Sequence, residues 1–336
     1  MVVIEPGKET DLKSFSMQAC APALAVVATL LTATAAPMAQ EWPSKQVSII
    51  LPTAAGGSTD LMARFASEHL AKTFGQPFVI INRPSAGGVI SSTQVGEADP
   101  DGHTLLFSPS ILVVLTPLIQ TVPFDFDKAL APVTNVGTSA QVVAIKAALP
   151  VKTLAEFIDY AKTNQGKLNF IIAGANNISH LAPLLLFKRA GIELGMVASR
   201  GEPQAITELL AGNVDFYFGN ASILLGSDLT KIRILSVGTA QRLPTAPDLP
   251  TISETVPDFV FQSWNGFFVP AKTPDAIVAK LRGAVVAFVS TPEMRQRLMT
   301  LGIVPGGQSK EEVDAAFTRD RRNFVEAANA AGLKKP

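Results

Sequence analysis

Residues 51–60 read LPTAAGGSTD, and this stretch sets the pattern of the whole chain. The apolar run at 47–51 predicts a short strand, and the apolar spacing of 58–74 predicts an amphipathic helix that Gly75 ends. Two glycines, two hydroxyls and a carboxylate fill the turn between them. A strand that passes through such a turn into a helix is the repeating unit of an α/β fold.

The same alternation continues along the chain. It predicts further strands at 78–81, 104–108, 168–173, 194–198 and 214–218, and helices at 153–164, 179–190 and 203–212. This order implies right-handed crossovers and a mainly parallel sheet. The last third is mostly helical, with helix starts at Thr273, Thr291 and Ser309, and no strand pattern of similar quality follows Phe268. We therefore expect the last third to pack on a sheet formed earlier.

Two lobes follow from this arrangement. We predict that the first lobe comprises residues 40–140 plus 253–336 and the second residues 141–252. The crossing segments are expected near 136–140 and 256–263.

The N-terminal region has a different composition. Residues 19–39, ACAPALAVVATLLTATAAPMA, carry no charge and end in small residues, which predicts that 1–39 is a secretory signal peptide. A membrane anchor is the alternative, although the prolines and threonines make this run a poor membrane span. The single cysteine, Cys20, lies inside the segment. The remainder therefore has no disulfide, thiol nucleophile or thiolate metal site.

Charge and composition exclude several classes of partner. The 336 residues carry 28 basic and 28 acidic side chains, and 47% of them are hydrophobic. No basic cluster suggests nucleic acid. We expect a monomer without a cofactor. We also expect no metal site, because the three histidines are scattered and are expected to be surface or packing residues.

Three chemistries could use the turn at 51–60. A serine nucleophile elbow would need glycine where Asp60 stands, and a histidine partner for Ser58. A phosphate-binding loop would need the Gly-Lys-Ser/Thr ending, which is absent. The third is anion capture at the helix N-terminus, where free N–H groups and the helix dipole attract a negative group and Gly56 and Gly57 allow close approach. A plain capping role is the alternative, but it does not call for two glycines and a carboxylate.

Two further loops resemble this one. Residues 174–180, GANNISH, repeat the order of strand, small polar loop and helix start in the second half, and Ser108 ends the strand at 104–108. Loops at the carboxyl ends of strands are where open α/β sheets bind ligands. One such loop in each lobe indicates a cleft between the lobes.

Several segments together resemble a known family. They are WPSKQVSIILPTAAGGSTDLMAR (42–64), FGQPFVIINRPSAGG (74–88), ADPDGHTLLFS (98–108), LNFIIAGANNISHLA (168–182), LLAGNVDFYF (209–218) and WNGFFVPAKTP (264–274). From about residue 42 to its end, the chain is similar to the Bug or TctC-type extracytoplasmic solute receptors of tripartite tricarboxylate transporters.

The resemblance implies a type II periplasmic-binding-protein fold with a ligand cleft between two α/β lobes. It implies a periplasmic, non-enzymatic receptor that delivers a small carboxylated ligand to membrane transporter subunits, the carboxylate being held by backbone amides and bridging waters. The ligand would be a di- or tricarboxylate, an aromatic acid or an amino acid. The expected ligand-binding residues are Thr53, Ala54, Ala55, Gly56, Gly57, Ser58, Thr59, Asp60, Ser108, Asn176, Asn177, Ser179 and Ser199.

The chain departs from the family pattern at two places. Thr53 stands where an aromatic residue is usual, and Ser199-Arg200-Gly201 replaces Tyr-Lys-Gly. Asp60 has two interpretations, because it could meet an ammonium group of the ligand or point towards the loop backbone. Two other functions stay open at this point: a sensory receptor of the same fold, and a secreted hydrolase that uses Ser58.

Overall fold

The described residues form eleven strands in two sheets. The computed structural model describes residues 2–3, 41–84, 86–122 and 125–333, so the predicted signal segment at 1–39 lies outside them apart from residues 2 and 3. The strands are β1 Val47–Leu51, β2 Phe78–Asn82, β3 Thr104–Pro109, β4 Leu130–Ser139, β5 Gln141–Lys146, β6 Asn169–Ile172, β7 Gly195–Ala198, β8 Phe216–Asn220, β9 Ile232–Val237, β10 Ser263–Pro270 and β11 Ile303–Pro305.

Helices connect and cover the strands. They are α1 Ser58–Phe74, α2 Val89–Gly96, α3 Ser110–Val114, α4 Thr116–Ile119, α5 Phe126–Ala129, α6 Leu154–Thr163, α7 Ile178–Ala190, α8 Glu202–Leu210, α9 Ala221–Leu224, α10 Asp275–Ser290, α11 Pro292–Thr300 and α12 Lys310–Ala330. Short 3-10 turns lie at Ala86–Gly88 and Ile252–Glu254. Within the described ranges, none of these helices combines the length and apolarity needed to cross a bilayer.

Both sheets are mixed, which corrects the expectation of a mainly parallel sheet. The first has the order β11-β4-β10-β3-β1-β2 and the second β7-β6-β8-β5-β9. β1 pairs in parallel with β2 and β3, and β6 with β7 and β8. By contrast, β10 runs antiparallel to β3 and β4, β11 to β4, and β5 to β8 and β9. The predicted strands are thus the parallel part of each sheet.

The antiparallel pairs follow from the way the chain crosses between the sheets. β4 ends at Ser139 and β5 begins at Gln141, so Ala140 alone separates them. β10 pairs antiparallel with both β3 and β4, so β3 and β4 run in the same direction and end at the same edge of the first sheet. β4 leaves the sheet at that edge. β5 enters the second sheet at the edge where β8 ends, with Gln141 opposite Asn220, and must therefore run against β8. β10 returns to the first sheet in the same way.

The first sheet has an apolar core on both faces. Ile49 and Leu51 belong to the cluster that also contains apolar residues of α1, α10 and α11. Ile50, whose side chain points to the opposite face, belongs to the cluster with Trp264 of β10 and Val313 of α12. The helices of the last third thus cover the sheet that begins with β1. The short β11 lies in this third, beyond the last strand that the sequence pattern indicated.

The last helix also contributes to the core of the second sheet. Phe324 and Ala327 of α12 are buried in the cluster that contains the apolar residues of β6 and α7, as are Val114 and Leu115. α12 therefore packs against elements of both sheets. The lobe boundaries at 140/141 and 252/253 stay a prediction. A division at 252 would assign α12 to the first lobe, although its C-terminal part packs in the core of the second sheet.

Candidate functional site

The loop between β1 and α1 presents its backbone to solvent. Residues 54–58 are exposed, whereas Thr59 and Asp60 in the first turn of the helix are buried. Gly56 has a φ of +89°, a conformation that side chains other than glycine rarely adopt. Gly57 is the N-cap residue, and no side chain caps the helix there. A Cβ added at Gly57 would have no atom within 4 Å, so the space beside this backbone is open.

Asp60 holds the loop from inside. Its Oδ2 accepts hydrogen bonds from the backbone N–H of Gly56 (3.0 Å) and from Nε of Arg64 (2.8 Å). Its Oδ1 accepts bonds from Nη2 of Arg64 (3.2 Å) and Nδ2 of Asn82 (3.0 Å). These donors, the Arg64 guanidinium foremost, lower the pKa of Asp60 to about 2, against the opposing effect of burial. Both carboxylate oxygens are thus engaged, and the structure favours the second interpretation, in which Asp60 faces the loop backbone.

Two asparagines, on strands β2 and β10, complete this support. The side chain of Asn82, at the end of β2, also donates to the carbonyl oxygen of Thr53 (3.1 Å), so it joins the two ends of the loop. Asn265 of β10 accepts a hydrogen bond from the hydroxyl of Thr59 (2.8 Å) in a buried contact. The Thr59 hydroxyl therefore already has an acceptor within the protein. The predicted contribution of Thr59 to a ligand is limited to its backbone.

The first turn of α1 leaves N–H groups free. In the described part of the chain, the N–H groups of Ser58, Thr59 and Asp60 have no acceptor, and the first intrahelical bond runs from Leu61 N to Gly57 O (3.0 Å). Such groups carry the positive end of the helix dipole. The geometry therefore combines free backbone N–H groups with an exposed loop, and the acidic residue beside them is paired with Arg64.

The loop between β6 and α7 is built differently. Asn177 is the N-cap residue, and its Oδ1 accepts bonds from the N–H of His180 (3.2 Å) and the hydroxyl of Ser179 (2.7 Å). The Ser179 hydroxyl oxygen in turn accepts a bond from the N–H of Ala173 (2.8 Å). Asn176 has a φ of +57°, and its N–H donates to Nδ1 of His180 (3.2 Å). The Asn177 and Ser179 side chains thus hold the loop itself, as Asp60 holds the first.

The remaining predicted side chains also bond within the protein. Ser108 is fully buried and its hydroxyl donates to the carbonyl oxygen of Pro109 (3.0 Å). The hydroxyl of Ser199 lies 2.8 Å from the carbonyl oxygen of Ile172 and 3.0 Å from that of Gly201. Since β3 neighbours β1, and β7 neighbours β6, these serines lie at the same sheet edges as the two loops. Each sheet thus gathers its own predicted site residues, and no hydrogen bond among the described residues joins the two groups.

The histidines contact other parts of the molecule. The ring of His69 lies 5.0 Å from that of Phe288, and Nε2 of His103 accepts a hydrogen bond from the N–H of Ser44 (3.2 Å). Burial lowers the pKa of His180, whose Nδ1 is the acceptor described above. Ser58 makes no hydrogen bond to any of them in the described ranges. The geometry therefore offers Ser58 no general base.

The sequence reasoning missed the residues that support the first loop. These are Arg64, Asn82 and Asn265. A signal existed for Arg64, because an acid and a base four residues apart on a helix face each other. Asn82 and Asn265 come from other strands, at separations of 22 and 206 residues from their partners in the loop. No local pattern could have indicated them.

Comparison with known proteins identifies the family. The family model described as the tripartite tricarboxylate transporter family receptor matches residues 62–323. The chain is 32% identical over 306 residues to the UPF0065 protein in the tcbD–tcbE intergenic region of Pseudomonas sp. (strain P51), covering 90% of this chain and 91% of that protein.

Solved structures agree with this assignment. The structure of Rpa4515 from R. palustris with adipate has a TM-score of 0.67 and 28% identity, covering 88% of this chain and 100% of that one. MatC (Rpa3494) from Rhodopseudomonas palustris with bound malate has a TM-score of 0.62 and 29% identity, covering 85% and 99%. The resemblance and the two-lobed α/β fold inferred from the sequence are confirmed. This chain belongs to the family of tripartite tricarboxylate transporter receptors.

Proposed function

We propose that this receptor captures a small organic carboxylate in the periplasm and delivers it to the membrane subunits of a transporter. The observation that carries the proposal is the start of α1, where residues 54–58 are exposed and the N–H groups of Ser58, Thr59 and Asp60 have no acceptor among the described residues. The adipate and malate that two similar proteins bind support a carboxylate as the ligand. Within the described ranges Ser58 has no hydrogen bond to a histidine, and the ligand is expected to be released unchanged.

The anion site is proposed to be made of backbone rather than of basic side chains. Arg64, the cation nearest to the loop in these contacts, donates to both carboxylate oxygens of Asp60, and no side-chain atom of the described residues lies within 4 Å of a Cβ placed on Gly57. Since Asp60 is paired, its charge does not oppose an incoming carboxylate strongly. We therefore assign Asp60 to the support of the loop. Direct contacts are assigned to the backbone of residues 54–59 and to the second loop at 174–178.

The second part of the proposal concerns movement. The lobes are proposed to be residues 40–140 plus 253–336 and residues 141–252, which close on the ligand by rotation about the crossings at Ala140 and before β10. Residues 1–39 are proposed to direct secretion. Several charge-assisted hydrogen bonds in a closed cleft can supply about −8 kcal/mol, which corresponds to micromolar affinity.

The test begins with thermal unfolding of the chain from residue 40 onward against a panel of mono-, di- and tricarboxylic acids, aromatic acids and amino acids. A ligand that binds only the folded state raises the unfolding temperature. Titration calorimetry then gives the affinity, and mass spectrometry of the recovered ligand shows whether it has changed. Turnover that disappears in Ser58→Ala would contradict the proposal and support the hydrolase.

One substitution tests the backbone site directly. Gly57→Asp introduces a carboxylate at the N-cap, where Asp accepts from the N–H groups of the first turn and competes with the ligand. The φ of Gly57 is −80° and its surroundings are open, so the protein should remain as stable as the unmodified chain. Carboxylate affinity should fall more than tenfold, which corresponds to about 1.4 kcal/mol. Gly57→Asn, a neutral cap of the same shape, is the matched control and should weaken binding less.

A further inference from the structure

A cleft lies beside the strands β4 and β10. It has a volume of about 510 Å³, within the range of small-molecule sites of roughly 300–1,000 Å³. Its walls come from β4 and β10, from the loop at 239–244 after β9, from β11, and from the first half of α12. In the first sheet, β11 and β4 lie at the opposite end from β1 and β2. None of its lining residues belongs to the loops of the carboxylate site, and we call it the rear cleft.

The charged residues of the rear cleft are mainly arginines. Arg242, Arg295 and Arg319 line it, together with one acid, Glu312. Glu312 is engaged in the capping box of α12, where its Oε2 accepts from the N–H of Ser309 (2.9 Å). The acid is therefore part of the helix start, and among the described contacts it forms no ion pair with the three arginines.

The three arginines differ in how many of their guanidinium nitrogens donate hydrogen bonds. Arg242 donates to both oxygens of Glu254 and to the carbonyl oxygen of Pro247, so all its nitrogens are committed. Arg319 donates through Nε and Nη2 to Oδ1 of Asp320, which leaves its Nη1 without a partner among the described contacts. The side chain of Arg295 has neither an ion pair nor a hydrogen bond in the described structure. Arg295 and one end of Arg319 thus present positive charge to the cleft.

Neutral donors lie at the bottom of the rear cleft. Asn135 is 5% exposed and Thr138 is 6% exposed, and both line the cleft. The Oδ1 of Asn135 accepts from the N–H of Gly307 (3.0 Å), but its Nδ2 has only a long contact of 3.5 Å with the Thr138 hydroxyl. The side-chain oxygen of Gln308, a third lining residue, is also buried without a partner in the described chain, but as an acceptor it needs a donor such as water and not an anion. The weakly bonded Nδ2 of Asn135 is the buried donor that an ion, a water or a ligand would complete.

From these contacts we propose that the rear cleft binds a small oxyanion, a free carboxylate or phosphate group. Guanidinium groups bind such anions with paired N–H donors, and the amide and hydroxyl at the bottom offer further donors. The site would be independent of the carboxylate site proposed at α1. It is shared between the first sheet and the loop that follows the last strand of the second.

The chain contains its own reporter for this site. It has two tryptophans, of which Trp264 lines the rear cleft and Trp42 packs against Phe74 and Phe78. Their indole N–H signals can be followed by NMR, after assignment with Trp42→Phe, during titration at constant ionic strength. One arm uses inorganic phosphate and the other acetate, which separates the two kinds of oxyanion. Both titrations are made in the Gly57→Asp variant, so that binding at α1 does not contribute.

We expect a saturable shift of the Trp264 signal with at least one of the two probes and no shift of the Trp42 signal. Arg295→Gln should weaken the response about tenfold or more, whereas Arg322→Gln, which removes an exposed charge from α12 outside the cleft, should leave it unchanged. Absence of a saturable Trp264 shift with both probes would overturn the proposal. Equal weakening by both arginine substitutions would also overturn it, because it would show only a general effect of net charge.

Discussion

The indole Nε1 of Trp264 donates a hydrogen bond to Oδ2 of Asp320, 3.1 Å away, and both residues are buried. Trp264 belongs to β10, which returns from the second sheet to the first, and Asp320 lies at the middle of α12. Arg319 donates two hydrogen bonds to the other carboxylate oxygen. Burial nevertheless dominates and raises the pKa of Asp320 from 3.8 to about 6.

This raised pKa predicts a loss of stability with increasing pH. A carboxyl group that holds its proton more tightly when folded favours folding below its unfolded pKa, and the contribution is lost as pH rises through the folded value. As the pH rises from about 4 to about 6, deprotonation of Asp320 should reduce the free energy of unfolding by about 2–3 kcal/mol. Asp320→Asn cannot titrate but keeps an oxygen for Trp264. Urea unfolding should therefore show that the free energy of unfolding of Asp320→Asn, relative to that of the unmodified protein, increases from pH 4 to pH 6. A difference that is independent of pH would contradict the assignment.

Asp60 is predicted to act in the opposite direction. Its pKa is lowered from 3.8 to about 2, so its contribution is present above the unfolded value and is lost as pH falls from about 4 to 2. Asp60→Asn should cost about 2 kcal/mol at pH 7, because the Arg64 guanidinium loses its acceptor, and little at pH 2. Urea unfolding at the two pH values measures this.

The same variant tests the role of Asp60 in selectivity. Since both oxygens of Asp60 are engaged, Asp60→Asn should change the affinity for a simple carboxylate and for its amino or hydroxy analogue by the same factor. Calorimetric titration with the matched pair gives the two ratios. If the ratios differ, Asp60 contacts the ligand in the closed form; if they agree, selectivity must come from other residues, with Thr53 and Ser199 as the next candidates.

The packing of α12 on the second sheet gives a fourth prediction. The Phe324 side chain is 2% exposed and its ring lies 4.7 Å from that of Phe261. Phe324→Ala should lower the free energy of unfolding by about 3–5 kcal/mol. Val325, the next residue, is 37% exposed, so Val325→Ala is the control and should cost well under 1 kcal/mol. Similar costs for the two variants would mean that α12 does not support this core.

Arg200 provides the last prediction. It is exposed, and its side chain has no ion pair within the described residues. Arg200→Ala should therefore change carboxylate affinity less than about threefold, as expected for an exposed charge. A loss of binding in Arg200→Ala, together with unchanged binding in Gly57→Asp, would show that a side chain and not the helix start holds the anion.

The sequence was most informative where structure depends on local spacing. The strand at Val47–Leu51 and the helix at Ser58–Phe74 have the predicted bounds, because an apolar run and an apolar helix face are local patterns. The strands β4, β5, β9 and β10 were not predicted. β5 and β10 are buried along almost their whole length, so they lack the alternation that marks a half-buried strand. The directions of β5 and β10 depend on where the chain crosses from the other sheet.

The candidate site was predictable at the level of backbone and less so at the level of side chains. The glycines at 56 and 57 and the helix start lie where the pattern indicated. The side chains predicted to reach a ligand, such as Thr59 and Ser199, bond within the protein. Whether a hydroxyl faces a ligand or a neighbouring strand depends on partners far away in sequence, as Asn265 illustrates.

Ala140 restricts how the two sheets can turn relative to each other. Its carbonyl oxygen accepts the N–H of Ala221, at the start of a helix of the second sheet, while Ser139 pairs with Ser263 and Ile303 of the first. Only the few backbone torsions between these two anchors remain to take up rotation in this strand. The closure proposed above would then be a twist about one short axis, with little freedom to slide. A proline at position 140, which would fix one of those torsions, should stiffen that axis.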